Sequence, residues 1–139
     1  MNVFLDTNVV LDVFAHRQPF YADSARVWAL AERGQARGLV SALSMTNLYY
    51  VVRKLASRSE AAEMLKAVRG CVGLTPCDAS VLNQAIDAGF GDFEDAVQYF
   101  SARAAGAGVL VTRNIDHFPE DDDLPAMTPT AFLAAHSFE

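Results

Sequence analysis

Cysteine is scarce, long apolar runs are missing, and the last third of the chain has almost no basic residues. Among 139 residues there are two cysteines, Cys71 and Cys77. A tetrahedral metal site would need two further ligands, so these read as buried free thiols rather than as a disulfide or a metal centre. No uninterrupted apolar stretch approaches the ~20 residues that span a bilayer. The first residues lack the basic flank and longer apolar core of a signal peptide, so a cytoplasmic protein with no membrane contact is expected. Neither an internal repeat nor a low-complexity tract or linker is visible, and one domain over residues 1–139 is expected. That length suffices to bury most of its apolar surface. Apolar residues at 52% and charged residues at 20% are ordinary for a globular domain.

A formal net charge of −6 argues against a general nucleic-acid binder, which normally presents a basic surface. Its distribution says more. Residues 1–91 carry nine Lys/Arg against eight Asp/Glu, whereas residues 92–139 carry two Arg against nine acids. An acidic C-terminal third is compatible with a carboxylate-lined site, although the run Glu120-Asp121-Asp122-Asp123 taken alone reads as a solvated loop.

What is present alternates between short apolar runs and helical periodicity. Val3-Phe4-Leu5 reads as a buried strand that stops abruptly at Asp6, Thr7 and Asn8, and a short helix resumes with Val9, Val10, Leu11, Val13 and Phe14. A helix is predicted over about Tyr21 to Arg33, with Gly34 as its stop. A second strand at Gly38-Leu39-Val40-Ser41 leads to a helix capped by Ser44, with Leu48, Val51, Val52 and Leu55 inward. Another helix is expected from Ser59 to Gly70, on Ala62, Met64, Leu65 and Val68, before a third strand at Cys71–Thr75. Asp78 caps a helix with Val81, Leu82, Ala85 and Ile86 inward and Gly89 as its stop. Asp92 opens a helix to about Ala105 with a stripe of Phe93, Ala96, Val97 and Phe100. A fourth strand at Gly108–Thr112, an edge strand near Ala126-Met127 and a helix from about Thr130 complete the reading. Hairpin turn signals are absent between the strands. The pattern predicts a three-layer α/β/α fold with a central parallel sheet of four to five strands.

In such a sheet the turn after every strand opens on one edge, where ligands bind. Asp6 follows the first strand and Thr112-Arg113-Asn114-Ile115-Asp116 the fourth. The first turn of the helix at Asp92 is expected near the same edge, with Asp92 and Asp95 on one face and Glu94 pointing elsewhere. Asp6, Asp92, Asp95 and Asp116 are thus expected to approach one another. Clustered carboxylates repel unless a cation neutralises them, and hard oxygen ligands select Mg²⁺ or Mn²⁺. A site of that kind suits phosphodiester hydrolysis. Arg17, Arg53, Lys54, Arg58 and Arg113 are open to two readings, RNA phosphate contacts or an ordinary solvated face. Tyr49, Tyr50 and Tyr99 likewise read as base-stacking or packing residues, and His117 beside Phe118 as local packing.

The ordered set Leu5-Asp6-Thr7-Asn8-Val9, Ser41-Ala42-Leu43-Ser44, Asp92-Phe93-Glu94-Asp95-Ala96, Val111-Thr112-Arg113-Asn114 and His117-Phe118 resembles the PIN domain. The branch it is most similar to is that of single-domain bacterial proteins, including VapC-type toxins. The resemblance implies a Mg²⁺- or Mn²⁺-dependent endoribonuclease, the toxin of a type II toxin–antitoxin pair. It further implies an RNA substrate, a small antitoxin protein as partner, and self-association as a homodimer. Carried over by position, Asp6 matches the first acid of the family, Asp95 the central one and Asp92 its neighbour. Thr7, Asn8 and Thr112 match orienting polar residues, Asn114 a final acid or Asn, and Asp116 a substitute ligand. One position departs: Asn47 stands where the family usually has Glu, and a neutral amide attracts a cation less. The alternative reading is therefore a degenerate PIN domain that binds RNA or a protein without cutting. Aspartyl-phosphate phosphatases and receiver domains also place an Asp after the first strand. Asn8 in place of a second acid disfavours the former, and the latter's Asp on the third strand is missing.

Overall fold

The computed structural model describes residues 1–136; the last three residues of the expected domain lie outside the described residues. Its elements run β1 (Asn2–Leu5), α1 (Thr7–Phe14), α2 (Tyr21–Glu32), β2 (Arg37–Ser41), α3 (Ala42–Leu55), α4 (Arg58–Cys71), β3 (Gly73–Thr75), α5 (Ala79–Asp87), α6 (Phe93–Ala104), β4 (Val109–Val111), a 3₁₀ turn (Ile115–His117), β5 (Ala126–Met127) and α7 (Pro129–Ala135). The five strands form one sheet in the order β3-β2-β1-β4-β5, and every neighbouring pair is parallel.

Both faces of this sheet are covered, and alternation along each strand decides which residue goes where. Val3, Leu5, Val40, Val109 and Val111 pack into one core with Val10 of α1, Trp28 of α2, Leu48 of α3, Met64 of α4 and Phe132 of α7. Phe4, Leu39 and Leu110 point the other way, into a second core with Tyr99 and Ala102 of α6 and Phe118. A third group joins Val81 and Ala85 of α5 to Ala96 and Val97 of α6. Helices on two faces of a parallel sheet give the three-layer α/β/α arrangement. Among the described residues no helix is long and apolar enough to cross a membrane.

The chain builds the sheet outward from β1 through β2 to β3, then crosses to the other side of β1 for β4 and β5. That reversal lies between β1 and β4. Connections leave the strand ends in opposite directions there, which opens a crevice at the carboxyl edge.

Several local expectations shift. Ser41, not Ser44, caps α3, its hydroxyl accepting from Leu43 N–H at 3.2 Å. Ser44 lies one turn further in and is wholly buried. Ser57 caps α4 by accepting from Glu60 N–H, so the helix starts before Ser59, buries Ala61 rather than Ala62, and takes in Cys71. Both cysteines are free thiols, but half-buried rather than buried. Leu55, Ile86 and Phe93 are exposed despite their apolar character. At 14 residues, α3 rises about 21 Å, longer than the strands beneath it, and its last turn leaves Leu55 in solvent. Ile86 lies about 100° round the helix from Ala85, off the face that meets α6.

One close approach depends on a missing side chain. A Cβ at Gly38 in β2 would stand 2.8 Å from Val72 Cγ1 and 3.1 Å from Ala31 Cβ. Gly38→Ala is expected to cost about 1–3 kcal/mol by overpacking. Urea unfolding measures this, and an unchanged midpoint would mean that Val72 moves aside freely.

Candidate active site

Asp6 occupies the N-cap position of α1, with φ −65° and ψ 152°, yet its side chain makes no capping hydrogen bond. It accepts instead from Thr112 Oγ1 at 2.8 Å, across the β1/β4 crevice. Asp6 is 5% exposed. Burial pushes its carboxyl up to about 6, against the Thr112 hydrogen bond that lowers it, with the nearby charge of Asp95 raising it further. The Thr112 hydroxyl also accepts from Asn114 N–H at 3.0 Å, so one buried side chain fixes both the acid and the following loop.

Asp92 caps α6 by accepting from Asp95 N–H at 3.2 Å, through its Oδ1. Asp95 turns its own carboxylate into the crevice. Its pKa is raised by burial and by Asp92, while a hydrogen bond from His117 lowers it. That bond joins His117 Nδ1 to Asp95 Oδ2 at 2.9 Å.

Behind these acids runs a polar seam between α1, α3 and α6. Gln98 Nε2 donates to Ser44 Oγ at 3.0 Å, and Ser44 Oγ meets Thr7 Oγ1 at 2.7 Å. Gln98 is 3% exposed and its Oε1 has no partner among the described residues. Asn8 Oδ1 accepts a long bond, 3.4 Å, from Arg113 N–H.

These side chains enclose a cavity of about 260 Å³ lined by Asp6, Thr7, Asn8, Asn47, Asp92, Glu94, Asp95, Gln98, Asn114 and His117, with Leu11 and Leu43 as apolar wall. The structure therefore brings together Asp6, Asp92, Asp95, Thr7, Asn8, Asn47 and Asn114, and Thr112 supports them from beneath. It also adds Glu94, which was expected to point elsewhere. The first turn of α6 lies at the rim, where an exposed side chain one residue from Asp95 still borders the opening. Gln98 went unrecognised in the sequence, and His117, read there as local packing beside Phe118, instead meets Asp95. A Gln inside the apolar stripe of α6 was an available signal; the motif His117-Phe118 marked the residue, but not its contact with Asp95.

Four expected residues fall elsewhere. Asp116 is exposed and borders a separate hollow of about 480 Å³ with Glu120, Asp121 and Asp122, because the 3₁₀ turn carries it away from Asp6. Arg17 does not line the cavity. Arg53 sits over the Tyr50 ring, 5.7 Å from its centroid. It is six residues beyond Asn47, about 9 Å further along α3 and away from the carboxyl edge. Arg113 is engaged by a buried acid. Its Nε lies 2.7 Å from Asp12 Oδ2, and its guanidinium lies 4.0 Å from the Phe20 ring centroid. Asp12 is 0% exposed, and sequence reasoning missed it although it interrupts the apolar run Val9–Phe14. Tyr99 is also internal, its hydroxyl donating to Asp121 and accepting from Arg103.

The cavity gathers four carboxylates, with no Lys or Arg in its lining among the described residues. Burial and Asp95 raise the Asp6 carboxyl to about 6, and Arg113, engaged by Asp12, offsets them only slightly. The donor set fits a hard cation in part. Among the described residues no three Asp, Glu, His or Cys side chains stand close enough to hold an ion by themselves. The expected three-carboxylate ligand set of Asp6, Asp92 and Asp95 is not preassembled, since Asp92 is turned to its cap. Mg²⁺ does not require such a set: it is commonly held by one or two carboxylates, waters and substrate phosphates.

The chain that carries this acid-lined cavity is similar in sequence and fold to known proteins. The sequence model of the PIN domain matches residues 2–116. Ribonuclease VapC1 of Aquifex aeolicus is 26% identical over 124 residues, covering 86% of this chain and 85% of that protein. A toxin–antitoxin complex from Klebsiella pneumoniae superposes with a TM-score of 0.67 at 17% identity, over 91% of this chain and 97% of the other. VapC20 of Mycobacterium tuberculosis, a sarcin–ricin loop cleaving toxin, gives 0.63 at 15% identity, over 78% and 86%. The chain belongs to the PIN domain family, as a VapC-like member.

Proposed function

We propose that this protein is a divalent-metal-dependent endoribonuclease, the toxin of a toxin–antitoxin pair. The observation that carries this reading is Asp6, a nearly buried acid facing Asp95 in a cavity with no basic lining residue among the described residues. The curated relative, named a ribonuclease, and the solved toxin–antitoxin complex of the same fold support it.

Asp6 and Asp95 would hold the cation, Mg²⁺ or Mn²⁺, with waters and RNA phosphate oxygens completing its shell. When bound, the cation supplies positive charge to the phosphate and acidity to a water. Thr112 Oγ1 holds Asp6 in place, and Asp92 anchors the first turn of α6. Asn8, Asn47 and Asn114 offer neutral amides to the phosphate and sugar without adding negative charge against them. In the hydrolysis a water oxygen bonds to phosphorus and its proton passes to a carboxylate; the P–O bond to the departing ribose oxygen breaks, and that oxygen takes up a proton to leave as a hydroxyl. Glu94 offsets the neutral Asn47: it lines the same cavity and restores a carboxylate to the rim.

Purified protein freed of any partner is expected to cut single-stranded or structured RNA with Mg²⁺ or Mn²⁺ and to stop with EDTA. Asp95→Asn is expected to lower cleavage by at least about 100-fold, and Glu94→Gln by about tenfold, the two differing because only Asp95 is held in the crevice. Wild type inert toward RNA with every metal, or Asp95→Asn as active as wild type, would refute the reading.

A further inference from the structure

The His117–Asp95 contact is out of place as a stabilising ion pair. The His117 side chain is 54% exposed, and a pair that open to water contributes little to stability. Its location is more telling. His117 comes from the 3₁₀ turn after β4, crosses to the first turn of α6, and lines the cavity beside the carboxylate it touches. Asp95 is then held at two points, its N–H by Asp92 Oδ1 and its Oδ2 by His117 Nδ1.

We infer that His117 is a positioning residue, whose Nδ1–H orients the Asp95 carboxylate so that its other oxygen is presented to the cation. This rests on the metal-dependent reading above. Carboxylates that ligate metals are themselves hydrogen-bonded, and loss of such a partner typically costs 10–100-fold in affinity or activity. A hydrogen bond to Oδ2 removes the freedom of the carboxylate to rotate about its Cβ–Cγ bond. It also couples the loop carrying Asn114 to α6, so both walls of the cavity keep their spacing.

The test is calorimetric titration of Mn²⁺ into metal-free wild type, His117→Ala, His117→Asn and His117→Gln, with RNA cleavage measured alongside. Asn places an amide nitrogen near the position of Nδ1, whereas Gln places one near Nε2. His117→Ala is expected to weaken Mn²⁺ binding by about tenfold or more and to lower kcat while KM for RNA stays near wild type. His117→Asn should recover to within about threefold of wild type, and His117→Gln should resemble the alanine variant. Melting temperatures should be alike across the series, since the residue is exposed. His117→Ala binding Mn²⁺ as wild type does, or Asn and Gln variants behaving alike, overturns the assignment while leaving the metal site intact. Wild type that binds no Mn²⁺ overturns both.

Discussion

Asp6→Asn is expected to yield a protein that no longer cuts RNA yet, without metal, unfolds at a higher temperature than wild type at pH 7.5. The folded-state pKa of Asp6 is raised from 3.8 to about 6, chiefly by burial. Below pH ~3.8 both folded and unfolded chains hold the proton, and the group is neutral in each. Between the two values the folded chain keeps the proton while the unfolded chain releases it, so stability falls as pH rises. By pH 7 the full penalty is present, roughly 3 kcal/mol at 1.36 kcal/mol per pH unit. Asn removes the charge while its side-chain oxygen can still accept from Thr112. The variant should therefore melt above wild type by about 5–10 °C at pH 7.5 in EDTA, and by little at pH 4. Added Mn²⁺ should raise the wild-type melting temperature and leave that of the variant unchanged, because only the folded wild type offers the ion a site. Calorimetric melts at the two pH values measure this. A variant no more stable than wild type at either pH would mean that Asp6 carries no unmet charge.

Arg113→Ala should destabilise the fold by about 3–5 kcal/mol, the cost of leaving a buried charge without its partner. Asp12 is 0% exposed, and its Oδ2 accepts from Arg113 Nε at 2.7 Å and from Ser24 Oγ at 3.4 Å. Its Oδ1 has no partner among the described residues, so nothing there takes over once the guanidinium is gone. Arg113→Lys should recover only part of the loss, since an ammonium lacks the planar face that lies over Phe20. Asp12→Asn combined with Arg113→Ala should be less damaging than the two single effects added, as expected of groups in direct contact. Urea unfolding of wild type, the two Arg113 variants, Asp12→Asn and the double variant gives these values. Arg113→Ala within about 1 kcal/mol of wild type would instead return this residue to the role of a spare surface cation.

The two predictions separate stability from chemistry at neighbouring positions. Asp6 and Asp12 are both buried acids on the same short segment. Asp12 is matched by a cation from its own chain, and Asp6 is not. That difference leaves Asp6, unlike Asp12, without an ion-pair partner among the described residues.

Much of this arrangement was legible in the residue order. The alternation Val3-Phe4-Leu5 and the break at Asp6 located the first strand and its terminal acid without any tertiary knowledge, because a central strand must be apolar on both faces. Asp78 and Asp92 announced helix starts, since a short acid ahead of an apolar stripe satisfies free N–H groups. The ordered motifs around Asp6, Asp92, Asp95 and Thr112 pointed to the family and to one edge of the sheet.

What lay outside local reach was lateral. Glu94 borders the cavity only because the first turn of α6 sits at its rim, and Asp116 leaves it because a 3₁₀ turn rotates the chain there. His117 meets Asp95 across 22 residues of sequence, and Arg113 meets Asp12 across 101. Short-range periodicity tells which side of an element is buried, but not which neighbour covers it. By itself the sequence determined a parallel α/β sheet with acids at its carboxyl edge. Only the tertiary structure decided which acids are paired within the chain and which are not, because charge compensation inside a protein depends on distance through space, not along the chain.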